Sequence, residues 1–183
     1  YSYAGGNPIT AFDPTGRLIQ VLGSGPRPDG TSDTQMINEA ISTHASENSE
    51  HGRRIRAIRD DPDYTVTIVP NHVDPSNNAT FEPNDDGTGG TIRINPSELI
   101  SYAAQPVDPT AVGASAQIAS MRIATNLRIV ALHELGHATV ARKFKKKKGV
   151  FTNGYDRESD SSAINDENCE RRRQGAPARR GHQ

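Results

Sequence analysis

The segment from Ala114 to Leu135 contains neither proline nor glycine, and the pentapeptide 133–137 (His-Glu-Leu-Gly-His) closes it. Apolar residues recur through this segment at helical spacing, so we predict about five to six turns of helix there. His133 and His137, four residues apart, then lie on the same helical face.

Two imidazoles on one helical face are suited to bind a single zinc ion. Glu134, between them, is then placed to act as general base on water held by the metal. The alternative is a pair of core histidines satisfied by hydrogen bonds, but a glutamate beside such a pair on an apolar helix argues against it. Gly136 costs about 1 kcal/mol of helix propensity, which is understandable where another segment approaches closely.

Catalytic zinc sites usually have a third protein ligand. One motif class supplies it as a histidine, in the pattern H-E-x-x-H-x-x-G-x-x-H. Val140 and Lys143 occupy its glycine and last histidine positions in this chain. That class is therefore excluded, and a carboxylate further along the chain is the remaining option.

We predict Glu167 as the third zinc ligand, with Glu158 and then Asp156 as alternatives. Residues 164–173 are predicted to form a short helix, whereas 154 and 159–162 suggest a loop. A ligand held on a second helix is positioned more rigidly than one on a loop.

The composition agrees with a small enzyme of one domain plus a short appendage. The chain has 183 residues, is 33% hydrophobic and has a formal net charge of -1, which gives no overall case for nucleic-acid binding. Its single cysteine, Cys169, excludes an intramolecular disulfide framework. No signal peptide or membrane-spanning run is predicted. Tyr1 in place of methionine indicates a fragment or a processed product.

The predicted fold class is α+β: a minimal zincin-like metallopeptidase domain with a small sheet and an active-site helix. A capping box at Ser32 begins a first helix, and Ile55 and Ile58 belong to a second. His44 and His51 are predicted as surface histidines. The remaining predictions are a strand at 64–70, a mobile loop at 77–90, a strand at 91–95 that pairs with an extended substrate or only with its neighbour, and a short helix from 96 to 102.

Lys143 and the lysines at 145–148 form a basic run at the end of the motif helix. Cations at this end complement the helix dipole. A solvated charged end is the simplest interpretation, and contact with an acidic partner is the alternative.

The first sixteen residues, 1–16, resemble the end of the Rhs/YD-repeat core. Asn7-Pro8 and Asp13-Pro14-x-Gly16 lie at that family's spacing. The resemblance implies that 1–18 end the core with its processing motif and that a toxin domain follows from about Leu18. Residues 19–30 are predicted to be a short extended piece and then a turn-rich linker, and 31–183 to be the zinc metallopeptidase toxin domain. The resemblance also implies partners: the core cage, contact-dependent or type VI secretion machinery, and a cognate immunity protein.

Residues 30–183 resemble the effector metallopeptidases of the NleD type in three patches. The patches are Gly87-Thr88-Gly89-Gly90-Thr91-x-Arg93-x-Asn95-Pro96, the motif segment 131–138, and Glu167-Asn168-x-x-Arg171…Gly175-x-Pro177-x-Arg179. The chain departs from the family in two places. Only Asp156 and Glu158 lie near the family's paired glutamates, and His182 stands where the family often has tyrosine.

The sequence therefore predicts a secreted or injected effector that cleaves a protein in the cytoplasm of a target cell, with no nucleic-acid or membrane partner. Zinc is held by His133, His137 and Glu167, and Glu134 is the catalytic base. Arg171 or Tyr155 is the candidate to stabilise the oxyanion. Two alternatives stay open: a non-catalytic zinc-containing toxin that sequesters its target, and a zinc hydrolase acting on a non-peptide substrate.

Overall fold

The computed structural model describes residues 19–23, 32–70, 79–95, 116–176 and 178–179, with the backbone alone for 116–126. In this part of the chain the fold is α+β, as predicted. The predicted core motif at 1–16 and short helix at 96–102 lie outside the described residues. The helices are α1 (Asp33–Ser46), α2 (Glu50–Arg59), α3 (Ala116–Phe144) and α4 (Tyr155–Arg173), and the strands are β1 (Ile19–Val21), β2 (Thr65–Val69), β3 (Ala79–Pro83) and β4 (Gly89–Ile94).

The four described strands form one sheet in the order β1-β2-β4-β3. β1 and β4 both pair with β2 in parallel, and β3 pairs with β4 in antiparallel orientation. Residues 19–21 form a sheet strand, which agrees with the short extended piece predicted before the linker, and Ile19 and Val21 pack against the core.

The loop predicted at 77–90 is wrong at 79–83, which form β3, and at 89–90, which begin β4. The turn-forming residues are confined to the connection between β3 and β4. There Asp86 accepts hydrogen bonds from the backbone and hydroxyl of Thr88, and Asn84 N–H bonds to the Gly89 carbonyl at 2.9 Å. The Asn, Asp and Gly content therefore marked a hairpin turn rather than a loop over the whole segment.

The two N-terminal helices begin at serine caps. The Ser32 hydroxyl accepts from the Gln35 N–H, which confirms the predicted start of α1, and Ser49 caps α2 through Gly52. The apolar faces of these helices and of the sheet meet α3 in one core. The largest fully buried apolar side chains are Ile37, Ile55, Ile58, Val66, Ile68, Ile92, Ile94, Leu127, Leu132 and Leu135.

His44 and His51 are buried, so the prediction of surface histidines is wrong. His44 Nε2 lies 2.5 Å from Glu170 Oε2, and His51 Nδ1 lies 2.8 Å from Asp166 Oδ1. Because both carboxylates belong to α4, these pairs connect α1 and α2 to that helix.

Among the described residues, no helix is both long and apolar enough to cross a membrane.

α4 packs along α3 and begins at Tyr155 rather than at residue 164 as predicted. The two helices approach most closely at Gly136, where a Cβ atom would lie 2.5 Å from the Cα of Ala163. The prediction that Gly136 admits a neighbouring segment is confirmed. This close approach brings the side chains of α4 to the two motif histidines.

Candidate metal centre

The two motif histidines of α3 lie side by side. Their ring centroids are 5.0 Å apart with an interplanar angle of 76°. His133, Glu134 and His137 each offer one potential ligand atom, and these atoms lie within 4.8 Å of one another. Imidazole nitrogen and carboxylate oxygen are donors that suit zinc and its transition-metal neighbours. The residues present therefore fit a metal ion.

A carboxylate from α4 holds the ring of His133. Nδ1 of His133 lies 2.9 Å from Oε2 of Glu167, a residue that is only 2% exposed. The Glu167 carboxylate also accepts from Arg171 Nε at 2.6 Å and from Arg179 at 3.2 Å. Burial alone would raise the pKa of Glu167, but the hydrogen bonds from His133 and Arg171 outweigh it and bring the pKa to about 2. Glu167 is therefore ionised, and it accepts the Nδ1 proton of His133.

The second histidine is held in the same way by a neutral partner. Nδ1 of His137 lies 2.7 Å from the hydroxyl oxygen of Ser159, which is buried in the first half of α4. A partner on Nδ1 fixes both the tautomer and the orientation of a histidine ring. A metal would bind through Nε2 of each ring, because Nδ1 of each ring already holds its partner on α4.

Glu134 is buried beside His133, and the sheet contributes to its surroundings. Burial raises the pKa of Glu134 to about 7, while the neighbouring His133 and a hydrogen bond from the Phe81 N–H lower it in part. Phe81 lies in the middle of β3, the strand at one edge of the described sheet. The backbone of this edge strand is thus in direct contact with the predicted general base.

The strand predicted to pair with substrate, Thr91–Asn95, does not have an open edge. Its residues belong to β4, which is paired with β2 on one side and with β3 on the other. β3 was missed because it lies in a segment dominated by turn residues. Of the described strands, β3 is the one that combines an outer edge with contact to Glu134.

The predicted third ligand is present in the centre, but in contact with His133. The potential ligand atoms that lie close together come from His133, Glu134 and His137, and no atom of Glu167 is among them. The alternative Glu158 pairs with Lys143 at 2.5 Å, and Asp156 is exposed at the start of α4. Direct ligation by Glu167 stays a prediction, and the contact that the structure shows is the hydrogen bond to a ligand.

The two candidates for oxyanion stabilisation occupy different surroundings. Arg171 pairs with Glu167 through Nε and through its terminal nitrogen, each at 2.6 Å, which is the structural pairing that a helix-surface arginine favours. Tyr155 packs against Phe144, and burial together with nearby carboxylates raises its pKa. Tyr155 also forms a hydrogen bond with Ser159, the partner of His137, so it lies on the side of α4 that faces the motif.

Sequence reasoning missed two contacts: that of Ser159 with His137, and that of the Asn168 side chain with the backbone of Arg179. The Asn168 side chain pairs with both the N–H and the carbonyl of Arg179, at 2.7 and 2.9 Å. A correct helix boundary would have revealed Ser159, because 159, 163 and 167 are spaced four apart and share one helical face. No local pattern indicates that Asn168 binds the backbone of a residue eleven positions later.

A scan against protein-family models found no match, and searches of the curated proteins and of the solved structures likewise found none.

Proposed function

We propose that this chain is a zinc-dependent endopeptidase, the toxin domain of an Rhs-type effector that cleaves a protein in its target cell. One observation carries the proposal. Two histidines and a buried glutamate converge on α3, and α4 holds each histidine through Nδ1. A plain pair of core histidines has no need of a third ionisable residue whose ligand atom converges with theirs.

The roles follow from the contacts of each side chain. His133 and His137 bind the metal, with Glu167 and Ser159 orienting their rings. Bound zinc supplies Lewis-acid polarisation of water and of the scissile carbonyl. Glu134 accepts a proton from the attacking water and passes it to the nitrogen of the leaving amine. Its hydrogen bond from Phe81 keeps the carboxylate aligned between the helix and the edge strand.

The edge strand β3 indicates which class of substrate the enzyme would bind. A peptide in extended form can add to the outer edge of β3 through backbone hydrogen bonds, and its scissile bond then lies beside Glu134. A small sheet with such an edge strand, a motif helix and a second helix that supports the histidines is the arrangement expected of a minimal zincin. Phe81 belongs to the edge strand and hydrogen-bonds to Glu134. This contact favours a substrate that can pair with the strand, and therefore a peptide over a non-peptide substrate.

The biological setting rests on the two resemblances. The core motif at residues 1–16 supports release of the domain from an Rhs cage. The three patches shared with NleD-type peptidases support action on a protein in the cytoplasm of the target cell. The proposal therefore includes delivery by contact-dependent or type VI secretion machinery and a cognate immunity protein in the producer.

The test is to express the wild type and Glu134→Gln in a sensitive bacterial cell and to measure toxicity and bound zinc for both. Glu134→Gln should abolish toxicity and retain zinc, because glutamine preserves the shape of the side chain but cannot accept the proton. Full toxicity of this variant would refute the proposed mechanism. Inhibition by one toxin per target molecule, without cleaved products, would instead identify a sequestering toxin.

A further inference from the structure

A cleft of about 510 Å³ lies between β3 and the turn that follows α3. We call it the basic cleft, and its charged lining consists of Glu82, Arg93, Lys146 and Lys148. The turn is attached to the β3–β4 hairpin by the backbone of Lys148, whose N–H bonds to the Asn84 carbonyl at 3.1 Å. The cleft is therefore formed jointly by this turn and by the hairpin that contains the edge strand.

The lining has an excess of positive charge. One carboxylate, Glu82, serves two cations: Lys148 Nζ at 2.5 Å and Arg93 at 2.7 Å. Lys146 directs its ammonium to two neutral groups, the Val150 carbonyl and the face of the Tyr155 ring, 5.2 Å from the ring centroid. The lining thus contains three cations and one carboxylate, and Lys146 is not paired with that carboxylate. Such a site attracts an anionic group.

An apolar surface adjoins this charge. Phe151 is 81% exposed and Val150 is 49% exposed, and they are the two large apolar side chains that the described part of the chain leaves exposed. They follow the lysines after Gly149, and the Val150 carbonyl accepts a hydrogen bond from Lys146. An exposed aromatic beside cations is typical of a recognition surface, because it supplies contact area at a small cost in conformational entropy.

The basic cleft is continuous with the metal centre through one residue. Phe81 lines the cleft and also donates its backbone N–H to Glu134. Glu82, the partner of Lys148, is the next residue along β3. A strand rises about 3.3 Å per residue. In a peptide bound along β3, the side chain that reaches the lysines is therefore about two to three residues away from the scissile bond.

We infer that this protein selects substrates that carry an Asp or Glu side chain within about three residues of the cleaved bond, with an apolar residue beside it. The acidic side chain binds in the basic cleft against Lys146 and Lys148, and the apolar residue packs on Phe151. This inference rests on the proposed function. The lysine run at the end of α3 is then a specificity element as well as a helix-dipole partner.

The first test is cleavage of a tryptic digest of a bacterial lysate by the zinc-loaded protein, with the new termini identified by mass spectrometry. Acidic residues near the cut should be enriched roughly fivefold over their abundance in the digest, the effect of one exposed ion pair. Lys146→Gln with Lys148→Gln should abolish the enrichment, and Glu82→Gln should increase it. Lys143→Gln, whose partner Glu158 lies outside the cleft, should leave it unchanged.

The outcomes separate the two proposals. Absence of any cleavage by the folded, zinc-loaded wild type would refute the proposed function. Cleavage without acidic enrichment, or enrichment that the double lysine variant retains, would overturn the inference and leave the peptidase intact. Opposite shifts for the lysine and Glu82 variants are expected from charge and not from loss of structure.

A binding measurement makes the inference independent of turnover. Glu134→Gln should bind a fluorescein-labelled decapeptide of alternating Glu and Leu, and the double lysine variant should bind it roughly tenfold more weakly. The matched peptide of Gln and Leu should bind no better than the double variant binds the acidic one. Equal binding of the two peptides, or binding only to vesicles of phosphatidylserine and phosphatidylcholine, would overturn the inference.

Discussion

Nδ1 of His133 on α3 lies 2.9 Å from Oε2 of Glu167 on α4, although the two residues are 34 positions apart in the chain. The contact joins the motif helix to a second helix at the point where a metal ligand must be held in one orientation. Arg171 and Arg179 hold the same carboxylate from its other sides. The candidate metal centre therefore depends on helix packing, and its metal affinity should change when α4 changes.

Replacing Glu167 by alanine should lower the zinc affinity of the apoprotein by roughly 10- to 100-fold, because the ring of His133 loses its orienting partner. The affinity is measured by competition with a chromogenic chelator. Glu158→Gln is the matched control, since that exposed carboxylate pairs with Lys143. An unchanged affinity in the alanine variant would contradict the orienting role, whereas complete loss of binding would indicate direct ligation.

Ser159→Ala should weaken zinc binding less than Glu167→Ala does. The hydroxyl of Ser159 is a neutral hydrogen-bond partner of Nδ1 of His137, and hydrogen bonds to charged groups are about twice as strong as those between neutral groups. We expect a loss in affinity near the lower limit of the range for such partners, roughly tenfold. Ser161→Ala, exposed on the same helix, serves as the control. A larger loss for Ser159→Ala than for Glu167→Ala would contradict this ranking.

Gly136→Ala should destabilise the fold by roughly 1 to 3 kcal/mol, because its Cβ would lie 2.5 Å from the Cα of Ala163. Helix propensity alone predicts the opposite sign, a gain of about 1 kcal/mol. The sign of the change in the free energy of unfolding, measured with urea, thus tests the close packing of α3 and α4. Lys143→Ala, exposed near the end of the same helix, controls for propensity. A stabilised Gly136→Ala protein would show that the helices are further apart.

Acid should destabilise the fold in part through Glu170, which bonds to His44 at 2.5 Å. Burial alone would raise the pKa of Glu170, but the hydrogen bonds from His44 and Gln174 outweigh it and lower the pKa from its usual value. A carboxyl whose pKa is lower in the folded than in the unfolded state contributes its stability above the unfolded value, and loses it as the pH falls through the folded value.

The free energy of unfolding should therefore decrease as the pH is lowered from about 6 to about 3, and the slope should be smaller in Glu170→Gln. At neutral pH this variant should be less stable by roughly 1 to 3 kcal/mol, since the buried His44 loses its charged partner. Urea titrations at several pH values measure both quantities. Identical pH slopes for the two proteins would show that Glu170 does not carry this dependence.

The sequence by itself predicted the elements whose signal is local. The capping residue Ser32, the apolar spacing of α1 and the long uninterrupted helix with His133 and His137 four apart all depend on residues within a turn or two of each other. The small residue at Gly136 was likewise understood from its position inside the motif. Local propensity and periodicity are sufficient wherever the partner of a residue is a near neighbour in the chain.

Only the tertiary structure decided where Glu167, His44 and Phe81 act. Glu167 contacts His133 because α3 and α4 meet at Gly136. His44 is buried where α1 packs, and Glu170 of α4 is its hydrogen-bond partner there. The edge strand with Phe81 was hidden among turn residues, since a short strand depends on a neighbouring strand for its hydrogen bonds. These contacts join segments distant in sequence, and their free energy exists only once the helices and the sheet have packed together.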